Sequence, residues 1–312
     1  MKKLKIIIFG VIILLIVIAI IHIWDENNQG MKITIIGGSN MIDKGNTNSC
    51  GYIIRTRNNK LIIIDGGRDI DYESISSYIT RWGNGKIDYW YITHPHTDHI
   101  GALLKVLEND NIEIENLYYS FNSLEWYEQY DKRGYEVEEA MINALSNPKI
   151  KNKIECYKGQ IIEMDNCQCE IIRIANPEVT YSDNGNDSSM VFKITATDID
   201  KGIIFLGDAF FATSEELLAE PEKLKSYAVQ MAHHGQNGVT KEVYDYIDPE
   251  ICFFNCPEWL YNNDNGGGYN SGNWKTIIVR EWLEEMNTEN FVAYEGDQTI
   301  RLTKKGYEKL EE

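Results

Sequence analysis

"ITHPHTDHIGAL", Ile92 to Leu103, holds three of the chain's six histidines within six positions. His94 and His96 are two apart, and in extended chain side chains two apart point the same way. Pro95 biases His94 towards extended backbone, so both imidazoles can meet one ion. Asp98 and His99 sit where a helical pattern, "HIGALLKVLEN", begins, and they can turn towards a second position. Nitrogens joined by a carboxylate suit zinc or a similar borderline metal. A surface turn with incidental histidines would not concentrate half of them here.

Upstream, "MKITIIGG", "CGYIIRT" and "KLIIIDGG" read as strands, β-branched and bounded by Gly, Asn and Asp. "DYESISSYITRWG" has helical spacing, with Ile75, Tyr78, Ile79 and Trp82 on one side. "IDYWYIT" is a strand that delivers the chain into the histidine turn. "LEWYEQYDKRGYEVEEAMINAL" is a longer acidic helical region with a break expected at Gly134. Downstream, "QIIEM", "CEIIRIA", "MVFKITAT", "GIIFLGD", "YAVQMAH" and "ICFFNC" read as strands, with "SEELLAEPEKL", "KEVYDYI" and "WKTIIVREWLEEM" as helices. Strands with interleaved helices, twice over, predict an α/β chain with two sheets packed together and helices outside. The loop "NNDNGGGYNSGN", Asn262 to Asn273, is rich in Gly and Asn. Trp259, Tyr261, Tyr269 and Trp274 near it suit either a groove for a sugar or base, or core packing.

A pair of metals needs further ligands. His22 lies in an apolar run, which leaves His233 and His234 of "MAHHG". Asp208 closes "IIFLGDA", and Asp65 closes the strand in "LIIIDGG". A carboxylate at the end of such a run is costly to bury unpaired and calls for a cation.

The net charge of −18 argues against broad binding to long nucleic acid, though it permits a small phosphate-bearing substrate at a metal. Ile6 to Trp24 carries no formal charge and would span about 28 Å as a helix. "MKKLK" precedes it and "DENNQ" follows, so the positive-inside rule predicts a single-pass membrane anchor with the rest of the chain extracytoplasmic. Secretion after signal cleavage is the alternative. The expected organisation is anchor 1–24, linker 25–30 and a hydrolase domain over 31–312. Six cysteines do not form a dense disulfide framework.

"HPHTDH" matches the His-x-His-x-Asp-His signature of the metallo-β-lactamase superfamily, and "DGG" upstream, "GDA" downstream and "HHG" after that occur in the superfamily's order. Over about Met31 to Leu302 the chain resembles that superfamily. With "NDSSMV" (Asn186 to Val191), "FLGDA" and "AHHG", it resembles above all the hydrolase domain of the competence DNA-uptake channel ComEC. The resemblance implies a four-layer αββα sandwich behind the anchor. It also implies two divalent metal ions, zinc or alternatively manganese. One ion would take His94 and His96, and the other Asp98, His99 and one of the "HHG" pair, with His233 favoured. Asp208 would bridge them. A hydroxide generated between the ions would attack phosphorus or a carbonyl carbon, with Asp98 part of the catalytic machinery. His234 would protonate the leaving group or hold phosphate, and Asp65 would orient ligands. Many members have one more histidine ligand, and Asn186 falls where it would be, which disfavours β-lactam hydrolysis. The expected activity is therefore a phosphodiesterase or nuclease-like hydrolase acting on a small or polymeric phosphodiester. A hydrolase of lactone, thioester or β-lactam bonds is the alternative, and a non-catalytic metal-stabilised binding module is a second.

Overall fold

The computed structural model describes residues 8–19, 29–38, 47–109 and 111–311. Strands β1 (Lys32–Ile35), β2 (Gly51–Arg55), β3 (Leu61–Asp65), β4 (Lys86–Ile87), β5 (Tyr89–Tyr91), β6 (Glu113–Tyr119) and β7 (Ile150–Glu155) come from the N-terminal half. The next run is β8 (Ile161–Met164), β9 (Cys167–Arg173), β10 (Val191–Ala196), β11 (Lys201–Phe205), β12 (Ala228–Gln230), β13 (Ile251–Phe254) and β14 (Glu289–Val292). A hairpin, β15 (Gln298–Thr303) and β16 (Gly306–Leu310), follows. One sheet has the order β16-β15-β1-β2-β3-β5-β6, with β4 and β7 also paired to β6; the other runs β14-β13-β12-β11-β10-β9-β8.

Helices are α1 (residues 8–19), α2 (Tyr72–Gly83), α3 (Thr97–Val106), α4 (Leu124–Tyr130), α5 (Tyr135–Ala144), α6 (Phe211–Leu217), α7 (Lys241–Ile247), α8 (Glu258–Tyr261) and α9 (Thr276–Glu285). α2 buries Ile75 and Ile79 and stops at Asn84, whose left-handed φ of 50° caps it. The long acidic region divides into α4 and α5, with residues 131–134 between them, so the expected break at Gly134 falls at its end.

Three apolar layers result. Between the sheets lie Tyr52, Ile64, Tyr91, Phe192, Phe205 and Phe253, among others. The rings of Tyr91 and Phe192 stack at 5.1 Å and those of Phe192 and Phe205 at 5.2 Å. A second layer joins the β8–β14 sheet to helices such as α7 and α9 through Val229, Val243 and Leu283. A third joins the other sheet to α2 and α3 through Ile63, Ile79 and Leu103. Two sheets flanked by helices are thus present. β3 is buried on both faces, which is why it reads as the unbroken run "LIIID" rather than an alternating one.

The site's position follows from strand direction. β3 and β5 are parallel, as are β11 and β12, so each pair ends on one side of its sheet. Asp65 and the histidine turn lie at the first pair of ends, and Asp208 and the "HHG" turn at the second. Ligands of parallel sheets gather at such carboxyl ends.

The expected membrane span is corrected here. The described part of the expected span, residues 8–19, is helical. Residues 6–7 and 20–24 of the expected span lie outside the described residues, as do 25–28 of the linker. Among the described residues no helix is long and apolar enough to cross a membrane, which overturns the single-pass anchor and the cell-membrane localisation built on it. The six cysteines are buried free thiols.

Candidate metal centre

β3 ends on Asp65, whose φ of 58° turns the chain sharply into Gly66 and Gly67. Its buried carboxylate accepts three hydrogen bonds: Thr93 N at 2.8 Å, Thr93 Oγ1 at 2.8 Å and His99 Nδ1 at 2.7 Å. His99, held by Nδ1, directs Nε2 to within 3.1 Å of Asp208 Oδ1. His94 is fully buried with Nδ1 3.2 Å from Thr93 Oγ1. α3 starts just beyond, with His96 as its extended N-cap residue.

The opposite wall is the β11 and β12 ends. Gly207 N and Leu206 N donate to Gln230 Oε1 at 2.7 and 2.9 Å, and Gln230 Nε2 donates to Gly207 O at 3.0 Å. Asp208 N donates to Ser189 Oγ at 3.0 Å. Gly207 has φ 57°, and a Cβ there would lie 2.8 Å from Ser189 Oγ and from Thr93, so the turn admits only glycine without strain. His233 and His234 both take left-handed backbone, at φ 49° and 59°, an arrangement uncommon outside functional turns. His234 donates its Nδ1–H to Asn255 O (2.8 Å) and brings Nε2 to 3.3 Å from both Asp98 Oδ2 and Asp208 Oδ2. His233 pairs Nδ1 with Asn237 O at 2.7 Å, and its Nε2 lies 3.4 Å from Asn186 Nδ2.

A nest of five ionisable groups is buried here, and they perturb one another. For Asp208, burial alone would raise the carboxyl, but the charges of His234 and His99 outweigh it and hold it well below the usual range. Asp98 is held low in the same way, against burial, by the neighbouring His234 and the His99 charge. Burial would lower His234, yet Asp208 and Asp98 push it up to about 9. His94, with no carboxylate bonded to it, is driven well down by burial and by the neighbouring imidazoles. Without a metal, protons tie this nest together.

The donor set fits a divalent ion. His94 Nε2, His99 Nε2, His234 Nε2 and Asp208 Oδ1 are buried with no hydrogen-bond partner, and buried polar atoms left so are rare unless an ion or water completes them. Ligand atoms of His94, His99 and Asp208 lie within 4.8 Å of one another, as do those of Asp98, His99 and His234. His96 groups elsewhere: Nε2 is 2.6 Å from Asp131 Oδ2 and 3.7 Å from Glu138 Oε1.

The metallo-beta-lactamase superfamily model matches residues 45–250, about two thirds of the chain. The chain belongs to this superfamily. Members are mostly metal-dependent hydrolases and bind divalent metals, in keeping with the nest. Among solved structures it is similar to the metallo-β-lactamase fold protein YhfI from Bacillus subtilis. That pair shows 13% identity and a TM-score of 0.51, over 87% of this chain and 100% of that one. Unliganded yeast PDE1 is similar at 13% identity and TM-score 0.51, over 88% and 100%. CmlA, a diiron β-hydroxylase from Streptomyces venezuelae, is similar at 10% identity and TM-score 0.53, over 88% of this chain and 54% of that one. At such identities these likenesses show the fold alone. No curated protein matches the chain.

Within the metallo-β-lactamase frame the expected residues distribute unevenly. Asp98, His99, Asp208 and His94 come together, with Asp65 behind His99. The "HHG" pair is the reverse of the expectation: His234, not His233, turns into the nest, because the left-handed turn at 233–234 directs His233 towards Asn186 and Phe210. His96 turns Nε2 to Asp131 and Glu138, while its ring lies 4.5 Å from that of His94. Trp259 and Trp274 pack on each other at 4.8 Å against the β8–β14 core, while Tyr269 is exposed.

Sequence reading missed Gln230, Asp131 and Glu138, and quoted Asp187 and Ser189 within "NDSSMV" without giving them a role. Gln230 left a signal, a lone amide inside the apolar "YAVQMA". Asp187 accepts from Phe210 N, Thr213 N and Thr213 Oγ1 at 2.7–2.9 Å and so fixes the start of α6. The acidic residues of α4 and α5 are too many for sequence to single out these two.

Proposed function

We propose that the chain is a divalent-metal-dependent phosphodiesterase. The observation that carries metal-dependent hydrolysis is the nest of His94, Asp98, His99, Asp208 and His234, in which His94 Nε2, His99 Nε2, His234 Nε2 and Asp208 Oδ1 are buried without partners. Asp98, His99 and His234 would hold one ion, and His94 a second. Asp208 lies between them, with Oδ1 towards His99 and Oδ2 towards His234. Divalent ions bound there would activate water as a nucleophile and neutralise charge on phosphoryl oxygens. Asp65, Asn255 O and Thr93 fix the outer nitrogens of three imidazoles, so those rings cannot turn away from the reacting centre. His233 and Asn186, beside the nest but outside it, are placed to hold a phosphoryl oxygen or hand a proton to the leaving group.

A phosphodiester is favoured over a neutral ester by a cavity of about 520 Å³ next to His96. Its lining includes Asp131 and Gly185, and also Lys132 and Arg133. In a chain of net charge −18, these two exposed cations have no ion-pair partner among the described residues. Cations left unpaired beside a metal nest suit an anionic substrate. The partial match of "NDSSMV", "FLGDA" and "AHHG" to the ComEC-like pattern supports the same choice. Zinc suits the inner nest by its nitrogen ligands, with manganese as the alternative.

The test is turnover of bis-p-nitrophenyl phosphate, p-nitrophenyl phosphorylcholine, single-stranded DNA and a lactone by protein loaded with Zn2+ or Mn2+. Hydrolysis of at least one phosphodiester is expected, abolished by chelator. In the double variant Lys132→Ala/Arg133→Ala, KM for that substrate should rise several-fold with kcat retained. Turnover of the lactone alone would replace this reading with carboxylic-ester hydrolysis.

A further inference from the structure

We propose that a cavity beside His233 is a subsite for a nucleobase-type heteroaromatic ring of the substrate, recognised by the side-chain amide of Gln236. The proposal rests on the phosphodiesterase reading above and narrows it to diesters that carry such a ring. The "HHGQNG" turn joins the two places. Its left-handed residues send His234 into the nest and His233 towards Asn186 and Phe210. Gln236 N then donates to His233 O at 3.1 Å, and residues 236–241 run on as one wall of a cavity of about 530 Å³. Phe210 and Asn237 belong both to that lining and to the surroundings of His233. The Phe210 ring stands edge-on to the imidazole at 5.7 Å, and Asn237 O accepts from His233 Nδ1 at 2.7 Å. The cavity is thus continuous with the group placed to hold a phosphoryl oxygen or serve the leaving group.

Size, walls and one amide together define the occupant. A volume of about 530 Å³ suits a small organic group. The walls are mainly apolar, with the rings of Phe210, Phe211 and Trp282 beside Val239 and Val279. Phe211 is 52% exposed, and a flat ring stacked on it would cover that surface. Gln236 supplies direction. It is only 8% exposed and lines the cavity, yet its amide has no hydrogen-bond partner among the described residues. Buried amides are normally paired. An alkyl chain or a plain phenyl ring in the cavity would seal this one off without a partner, which is costly. The edge of a nucleobase presents a donor and an acceptor side by side, the match for the oxygen and NH2 of a glutamine. Lys275, also in the lining, is exposed and has no ion-pair partner among the described residues, so a phosphate next to the ring would meet a cation.

The experiment is isothermal titration of the Zn2+-loaded full chain with ribose 5-phosphate, the common 5′-ribonucleoside monophosphates and octyl phosphate. Gln236→Leu and Phe211→Ala are titrated alongside. At least one nucleotide should bind about tenfold or more tightly than ribose 5-phosphate, as a stacked base contributes, and both variants should erase most of that ratio. Because Gln236 is buried, its variant is checked by circular dichroism, and Phe211→Ala, at an exposed position, keeps the test decisive if Gln236→Leu misfolds. Equal binding of ribose 5-phosphate and every nucleotide would overturn the subsite, as would a ratio that the folded variants leave intact. Tightest binding of octyl phosphate would give the cavity to an alkyl chain and overturn it too. Turnover of a dinucleotide against a single-stranded oligonucleotide separates the two sources of such a ring, and a preference for either supports the subsite. If bis-p-nitrophenyl phosphate is turned over while no nucleotide gains on ribose 5-phosphate, only the subsite falls. If no phosphodiester is turned over, the phosphodiesterase reading falls and the subsite with it.

Discussion

Asp65→Asn isolates how the nest depends on what lies behind it. The substitution keeps shape and removes charge. Asp65 is fully buried and accepts from three donors, Thr93 N, Thr93 Oγ1 and His99 Nδ1. An asparagine has one acceptor oxygen. If that oxygen faces His99 and Thr93 Oγ1, its NH2 meets the Thr93 N–H, donor against donor; if the amide flips, it meets the His99 N–H instead. Either way one buried donor loses its partner, at about 1–3 kcal/mol of stability. His99 also loses the negative partner that fixes its ring and makes Nε2 a stronger ligand. Removing such an outer partner lowers metal affinity about 10- to 100-fold, or roughly 1.4–2.8 kcal/mol. Competition against a chromophoric chelator reads the affinity, and thermal melting with chelator reads the stability. Asp65→Asn should shift both. A lowered melting temperature with Zn2+ affinity within about twofold of wild type would refute the reasoning, because Asp65 would then serve the β3 turn and not the metal.

Three other outcomes are expected. His234→Ala should abolish turnover and release metal, whereas His233→Ala should keep its bound metal and lose mainly rate; metal counted after desalting separates the two. The metal-free protein should be less stable at alkaline pH. His234 is raised from an ordinary value of about 6.5 to about 9 in the fold, so its contribution is complete below about pH 6.5 and lost as pH rises through about 9. Asp98 and Asp208 are depressed, so theirs is complete above about pH 4 and lost below it. Melting with chelator from pH 5 to 9.5 should show the alkaline fall, and Zn2+ should remove it, since zinc takes unprotonated imidazole; a flat metal-free profile would count against proton coupling in the nest. Gln230→Leu strips partners from Leu206 N, Gly207 N, Gly207 O and Met231 O. It should cost several kcal/mol at about 1–3 per buried group, seen in urea unfolding, and weaken metal binding through Asp208.

The histidine turn was legible because its chemistry is local: two spacings and a proline place the side chains before any tertiary contact is known. β3, β11 and β12 were legible because central parallel strands are unbroken apolar runs. β6, "EIENLYY", was not, since only Ile114, Leu117 and Tyr118 are buried and the polar residues between them hide the pattern. Its identity as a strand comes from parallel pairing with β5 and β7, which no local window contains. The order of His233 and His234 was equally hidden. Adjacent residues at a strand end differ only in the dihedrals of the turn, and here both sit at positive φ, so residue type does not tell one from the other. At the N-terminus hydropathy alone predicted a membrane span, and among the described residues no helix is long and apolar enough to cross a membrane.

What makes the nest hold its shape without an ion is that each inward imidazole is secured by its other nitrogen. Thr93 holds His94, Asp65 holds His99 and Asn255 O holds His234. Asp208 is placed by its backbone, through Ser189 and the Gln230 clasp on Gly207, so its carboxylate stays free of structural duties. Building the site on strand ends and anchoring it through atoms that never touch the ion separates two tasks that compete in a flexible loop. The fold meets the cost of converging charges once, through the packed sheets, and a metal entering the nest displaces protons instead of reordering side chains. Its affinity should therefore rise with pH through the range in which His234 deprotonates. A metal-binding constant unchanged between pH 7 and 9 would mean that the ion does not compete with that proton.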